Sequence, residues 1–162
     1  MKPLHHFSRL LGAGLIALGL HLAPAAAWAD DKAVEGAVVD AMESYLDFVD
    51  YSGATIFPEQ IPRDYWKKFF VIDARDADQF GKEHIPDAVN IEWRRVLAER
   101  KRIPKDKPVL VYCNTGSLSA QAGFALRLAG YENVRILQGG FSEWKSKGGL
   151  DAAAKSTGPV NH

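Results

Sequence analysis

Val109-Leu110-Val111-Tyr112-Cys113-Asn114-Thr115-Gly116-Ser117-Leu118-Ser119 runs straight on into Ala120-Gln121-Ala122-Gly123-Phe124-Ala125-Leu126-Arg127-Leu128-Ala129-Gly130. The first four residues are apolar and rich in β-branching, which predicts a buried strand. Ala122, Ala125, Leu126 and Ala129 then recur at helical spacing until Gly130 offers a C-terminal cap. The chain's only cysteine, Cys113, falls at the join between strand and helix. A thiol there faces backbone N–H groups that have no intrahelical partner and that favour negative charge. It should ionise more readily than a free thiol, and the thiolate is the nucleophilic form. Gly116 lets the loop curl tightly, and Ser117 or Ser119 is placed to cap the helix through its hydroxyl. The same pattern also suits a small buried cysteine at an ordinary α/β join, so the rest of the chain has to decide.

The first 29 residues carry Lys2 and Arg9, an apolar run from Leu10 to Leu20, and Ala25-Ala26-Ala27-Trp28-Ala29 before Asp30. This is the three-part pattern of a secretory signal peptide, with cleavage expected after Ala29; the apolar run is too short to span a bilayer comfortably. Residues 30–162 would then form one domain of modest core. The leader holds two basic and no acidic residues, so 18 Lys and Arg remain against 20 Asp and Glu. Nothing in that balance asks for nucleic acid. Exported proteins usually pair their cysteines, whereas a lone thiol in an oxidising space is a liability unless it is deeply buried or used. Only His84 and His162 lie beyond the leader, too few ligands for a His and Cys metal site. No metal and no organic cofactor is expected.

From Asp31 to about Val49, Val34, Val38, Met42, Tyr45, Leu46 and Val49 recur at three- and four-residue intervals. They predict an amphipathic N-terminal helix packed on the domain as an added layer, with a partner-binding helix as the alternative. Ala54–Phe57 reads as a short strand closed by Pro58, with a short helix near Pro58 or Pro62. Phe69–Asp73 reads as a buried strand with Ala74-Arg75-Asp76 at its carboxyl end and a helical turn through Phe80. Ala88–Ile91 reads as a brief strand, then a helix from Trp93 to about Arg100. The basic run from Arg94 to Lys107 is interspersed with acidic residues and reads as a solvated face, with attraction of an anionic substrate or partner as the alternative. Val134–Leu137 is a further strand, and Phe141–Lys145 a helix stopped by Gly148-Gly149. Strands alternating with helices predict an α/β domain with a mostly parallel central sheet. Ligands sit outside the carboxyl ends of such strands, which would bring Asp73 and Arg75 near Cys113.

Three blocks in this order resemble the single-domain rhodanese-like sulfurtransferases: Val71-Ile72-Asp73-Ala74-Arg75 with Phe80 and His84-Ile85-Pro86-Asp87-Ala88-Val89-Asn90-Ile91; Val111 to Ser119; and Leu137-Gln138-Gly139-Gly140-Phe141-Ser142-Glu143-Trp144. The resemblance implies a three-layer fold with a five-stranded, mostly parallel sheet flanked by helices over 51–149. The N-terminal helix would be an extension over 30–50, and 150–162 a flexible tail. It implies that Cys113 is the catalytic residue, carrying a sulfane sulfur as a persulfide. Asn114, Thr115, Gly116, Ser117, Leu118, Ser119 and Arg75 would bind the substrate. The donor would be a small sulfur-containing anion such as thiosulfate or a polysulfide, the acceptor a thiol or cyanide. A periplasmic monomer is expected, with no stable membrane association once the leader is removed.

Two features depart from the family pattern. Many members carry Arg or Lys in the active loop, whereas positions 114–119 are all uncharged here, and Asp87 stands where glycine is commoner. Related phosphatases use a longer loop ending in arginine, and this loop has neither feature. Some residues keep two readings: Arg75 meets substrate or pairs with Asp73 or Asp78, and Ser117 and Ser119 donate to the persulfide or cap the helix. Trp93 and Trp144 line the pocket rim or fill the core. A non-enzymatic sulfur carrier or protein-binding module is the alternative function.

Overall fold

The computed structural model describes residues 25–153 except Gly53, with side chains described over 31–52 and 54–151. Most of the expected signal peptide, residues 1–24, and the end of the expected tail, 154–162, lie outside the described residues. The chain divides into two compact units, one ending at Gly36 and the other beginning at Ala37. Helix α1 (Ala25–Phe48) starts upstream of the expected cleavage point.

Among the described residues five strands form one sheet: β1 (Thr55–Ile56), β2 (Phe70–Asp73), β3 (Val89–Asn90), β4 (Val109–Tyr112) and β5 (Val134–Leu137). They are ordered β1-β5-β4-β2-β3, and every pairing is parallel. Strand β4 lies in the middle and is buried on both faces, so its four residues are all apolar or aromatic instead of alternating with polar ones. Val109 and Val111 point into one core with Ile72, Ala122, Leu126 and Val134. Leu110 and Tyr112 point into the other with Val71, Leu137, Phe141 and Trp144. Helix α4 (Ser117–Leu128) supplies the first layer; α2 (Arg63–Trp66) and α5 (Gly140–Ser146) supply the second. Trp144 is therefore a core residue, and Trp93 is partly buried against the first core.

Connections leave β2 and β4 in opposite directions, through α3 (Ala77–Lys82) toward β3 and through α4 toward β5. Their neighbouring carboxyl ends, where Asp73 stands in register with Tyr112, form a topological switch point. Cys113 follows directly.

Three segments differ from expectation. The helix expected from Trp93 to Arg100 is instead two 3-10 turns, Trp93–Arg95 and Arg100–Arg102. The segment is anchored through buried Val96 and Ile103 and carries charge between them, so no continuous apolar stripe sustains a helix. From Ala37 onward helix α1 does not pack as a layer. Of the positions from Val38 on that were expected to face the core only Tyr45 and Val49 are half-buried, Tyr45 edge-on to Phe124 at 4.9 Å, because α4 already covers that side of the sheet. The stretch expected as a tail opens with a one-turn helix, α6 (Leu150–Ala153).

Candidate active site

The sulfur of Cys113 lies at the end of β4 and at the start of α4, and the residue is only 1% exposed. Gly116, at the N-cap of α4 with φ +108°, takes a backbone conformation that other L-residues rarely adopt, and this turns the loop back over the sulfur. Its N–H donates to Sγ at 3.2 Å, and the hydroxyl of buried Ser119 lies 3.6 Å from Sγ. Neither Ser117 nor Ser119 caps α4, which has no side-chain cap bond at all. With glycine at the N-cap, the sulfur occupies the place a capping oxygen would take.

Burial pushes the Cys113 thiol up. The N–H and hydroxyl of Ser119, with the N–H groups of Thr115 and Gly116, outweigh it, so the thiol ionises below its ordinary range. The Ser119 hydroxyl has one hydrogen and a second acceptor, the Gly116 carbonyl at 3.0 Å. Ionisation of Cys113 draws that hydrogen to sulfur, since a charged acceptor makes the stronger bond.

The loop is held from two sides. From α3, Gln79 accepts from the Asn114 amide at 2.6 Å, while Asp76 caps that helix by accepting from the Gln79 N–H at 2.8 Å. From α5, the N–H groups of Phe141 and Ser142 donate to the carbonyls of Cys113 and Asn114 at 2.8 and 3.0 Å. That approach requires Gly140, with φ +60°: a Cβ there would sit 2.5 Å from the Cys113 carbonyl oxygen.

Arg75 lies behind the loop. It is bound to Asp73 through Nε at 2.9 Å and Nη2 at 2.6 Å, donates to the Glu83 carbonyl at 2.7 Å, and stacks 4.4 Å from the Phe141 ring centroid. Its reach to the loop is a long contact to Asn114 Oδ1, 3.4 Å. Asp73 also accepts from the Tyr112 hydroxyl at 2.7 Å, and Tyr112 in turn accepts from the Ile85 N–H at 3.0 Å. Burial and the bond to Asp73 push the Tyr112 phenol far up, so it stays a neutral donor.

The structure thus brings Cys113 together with Gly116, Ser119 and the backbone of Thr115. The side chains of Asn114, Thr115 and Ser117 are exposed at the mouth and Leu118 is half-buried. The sequence reading did not single out Tyr112, Gln79 or Gly140. Only Gly140 carried a signal, in a Gly-Gly pair directly before a helix. Among the described residues no group of side chains is arranged to hold a metal ion.

A parallel α/β domain with one buried cysteine, cradled by backbone N–H groups at a topological switch point, defines the class of fold to which this chain is to be compared. Residues 58–147 match the rhodanese-like domain, and the chain belongs to that family. It is 36% identical to the thiosulfate sulfurtransferase GlpE of Coxiella burnetii over 76 residues, 47% of this chain and 71% of that one. Against GlpE of Pseudomonas savastanoi pv. phaseolicola it is 32% identical, covering 55% and 84%. The crystal structure of a rhodanese-related protein from Thermoplasma volcanium superposes with a TM-score of 0.54 at 25% identity, covering 59% of this chain and 93% of that one.

Proposed function

We propose that this protein is an exported, periplasmic sulfurtransferase that moves a sulfane sulfur from a thiosulfate- or polysulfide-like donor to a thiol or cyanide through a persulfide on Cys113. The reading rests on one observation above all, the thiol lowered by the converging donors of Thr115, Gly116 and Ser119. The Cys113 thiolate attacks the outer sulfur of thiosulfate; the S–S bond to the sulfonate breaks, and sulfite leaves with the bonding pair. The outer sulfur stays on Cys113 as a persulfide anion, whose charge falls within reach of the same N–H groups. Attack by cyanide on that sulfur returns the thiolate and releases thiocyanate. No metal or organic cofactor enters the cycle.

The test is the intact mass of the purified protein before and after thiosulfate and then after cyanide, beside Cys113→Ser. The expected result is gain of one sulfur's mass on the wild type only, lost with cyanide, and thiocyanate released on repeated cycles. Turnover by Cys113→Ser would overturn the assignment. Loading once without turnover would assign the domain instead to sulfur carriage.

A further inference from the structure

Helix α1 and a cleft at the far end of the sheet are chemically complementary. Within residues 37–48 of α1, Val38, Met42 and Leu46 follow one another at four-residue spacing and are 47%, 39% and 65% exposed. Glu43 and Asp47 flank this stripe, Asp40 lies beyond them, and the segment contains no Lys or Arg. None of these three carboxylates is in an ion pair among the described residues.

The cleft, of about 730 Å³, is lined by Phe69, Pro108 and Asn133, the residues directly before β2, β4 and β5, and by Thr55 and Ile56 of β1. It therefore reaches the amino ends of the three central strands, opposite the carboxyl end of β4 where Cys113 lies. Its apolar lining includes Phe57, Ile61, Tyr65 and Phe69, with Phe57 46% exposed. Lys105, Lys107 and Arg135 line it too, and none is in an ion pair among the described residues. Lys105 and Lys107 lie over Tyr131 and Phe70, and among the described residues Arg135 donates only to the Glu132 and Val134 carbonyls. The cleft's two carboxylates are Asp50, which already accepts from the Ser52 N–H, and Asp106. Cations outnumber carboxylates in the cleft, and α1 has the reverse imbalance. Two α1 stripes laid on each other would set Glu43 and Asp47 against their own copies, so charge directs the helix to the cleft.

We propose that α1 of one copy seats Val38, Met42 and Leu46 in the cleft of a second copy, with Glu43 and Asp47 against Lys105, Lys107 and Arg135. The exchange is reciprocal and gives a two-fold dimer. This is the helix-in-groove mode of recognition, and one chain carries both halves, as a closed symmetric pair requires. It replaces the expectation of a monomer and is independent of the chemistry at Cys113.

Light scattering coupled to size exclusion, with a reductant present so that Cys113 cannot cross-link chains, reads the mass across a wide concentration range. The expected result is a shift from one chain to two as concentration rises, moved to higher concentration by salt. Lys107→Glu with Arg135→Glu, and separately Glu43→Lys with Asp47→Lys, are each expected to stay monomeric with unchanged circular dichroism. Mixing the two variants restores both contacts at once and is expected to give a heterodimer. A wild type that stays monomeric throughout, a dimer that both reversals leave intact, or a mixture that fails to pair would each overturn the proposal.

Discussion

At the scale of single residues the chemistry depends on how a buried sulfur comes to carry charge. Burial works against the Cys113 thiolate, and the N–H and hydroxyl groups of Ser119, Thr115 and Gly116 more than offset it. The alkylation rate of Cys113 by iodoacetamide should therefore rise with pH and level off at lower pH than for a free cysteine, since only the thiolate reacts. Ser119→Ala removes one donor to that charge. Its alkylation profile is expected to move to higher pH, and sulfur transfer to fall roughly ten- to hundredfold, in line with the loss of a hydrogen bond to a charged group. An unmoved profile would mean that the hydroxyl serves only the Gly116 carbonyl. The residues of the loop, 114–119, are all uncharged. Ser117→Arg places a cation beside an anionic donor and is expected to lower KM for thiosulfate by several-fold. An unchanged or raised KM would show that donor charge is not what limits the wild type.

At the scale of elements the loop's shape comes from its neighbours. Strand β2 contributes Asp73, which with Arg75 and Tyr112 ties β2 to β4 directly behind the loop. Asp73 is fully buried and Arg75 only 5% exposed, so removing one partner strands a charge. Arg75→Leu is expected to destabilise the fold by about 3–5 kcal/mol in chemical denaturation, and Asp73→Asn in the same chain to recover part of that. Were Arg75 a substrate ligand instead, the loss would appear in KM with stability nearly unchanged. Helix α5 reaches the Cys113 carbonyl only because Gly140 has no side chain. Gly140→Ala combines a clash with strain at positive φ and is expected to cost on the order of 1–3 kcal/mol. Displacing α5 should also slow sulfur loading. A Gly140→Ala protein of native stability and rate would contradict the close approach.

For the whole molecule, the pattern of residues 1–29 predicts export. Expressed in a Gram-negative host, the protein is expected in the periplasmic fraction with Asp30 as its first residue, read by N-terminal sequencing; retention in the cytoplasm with an intact N-terminus would refute it. Among the described residues no helix is long and apolar enough to cross a membrane.

The amino-acid order alone determined the fold class and most element positions, and it placed the lone cysteine between a strand and a helix. Strand and helix periodicities are local patterns, and a lone cysteine between a strand and a helix has few roles open to it. The parallel sheet needed only alternating elements to be recognised. Tertiary structure decided what depends on partners far apart in the chain. It put Arg75 on Asp73, made the sulfur the cap of α4 in place of a serine hydroxyl, and broke the Trp93–Arg100 helix into short turns. It also left the stripe of α1 uncovered. Periodicity shows that a helix has an apolar face; whether that face is covered depends on the space its neighbours leave, and α4 had already filled it.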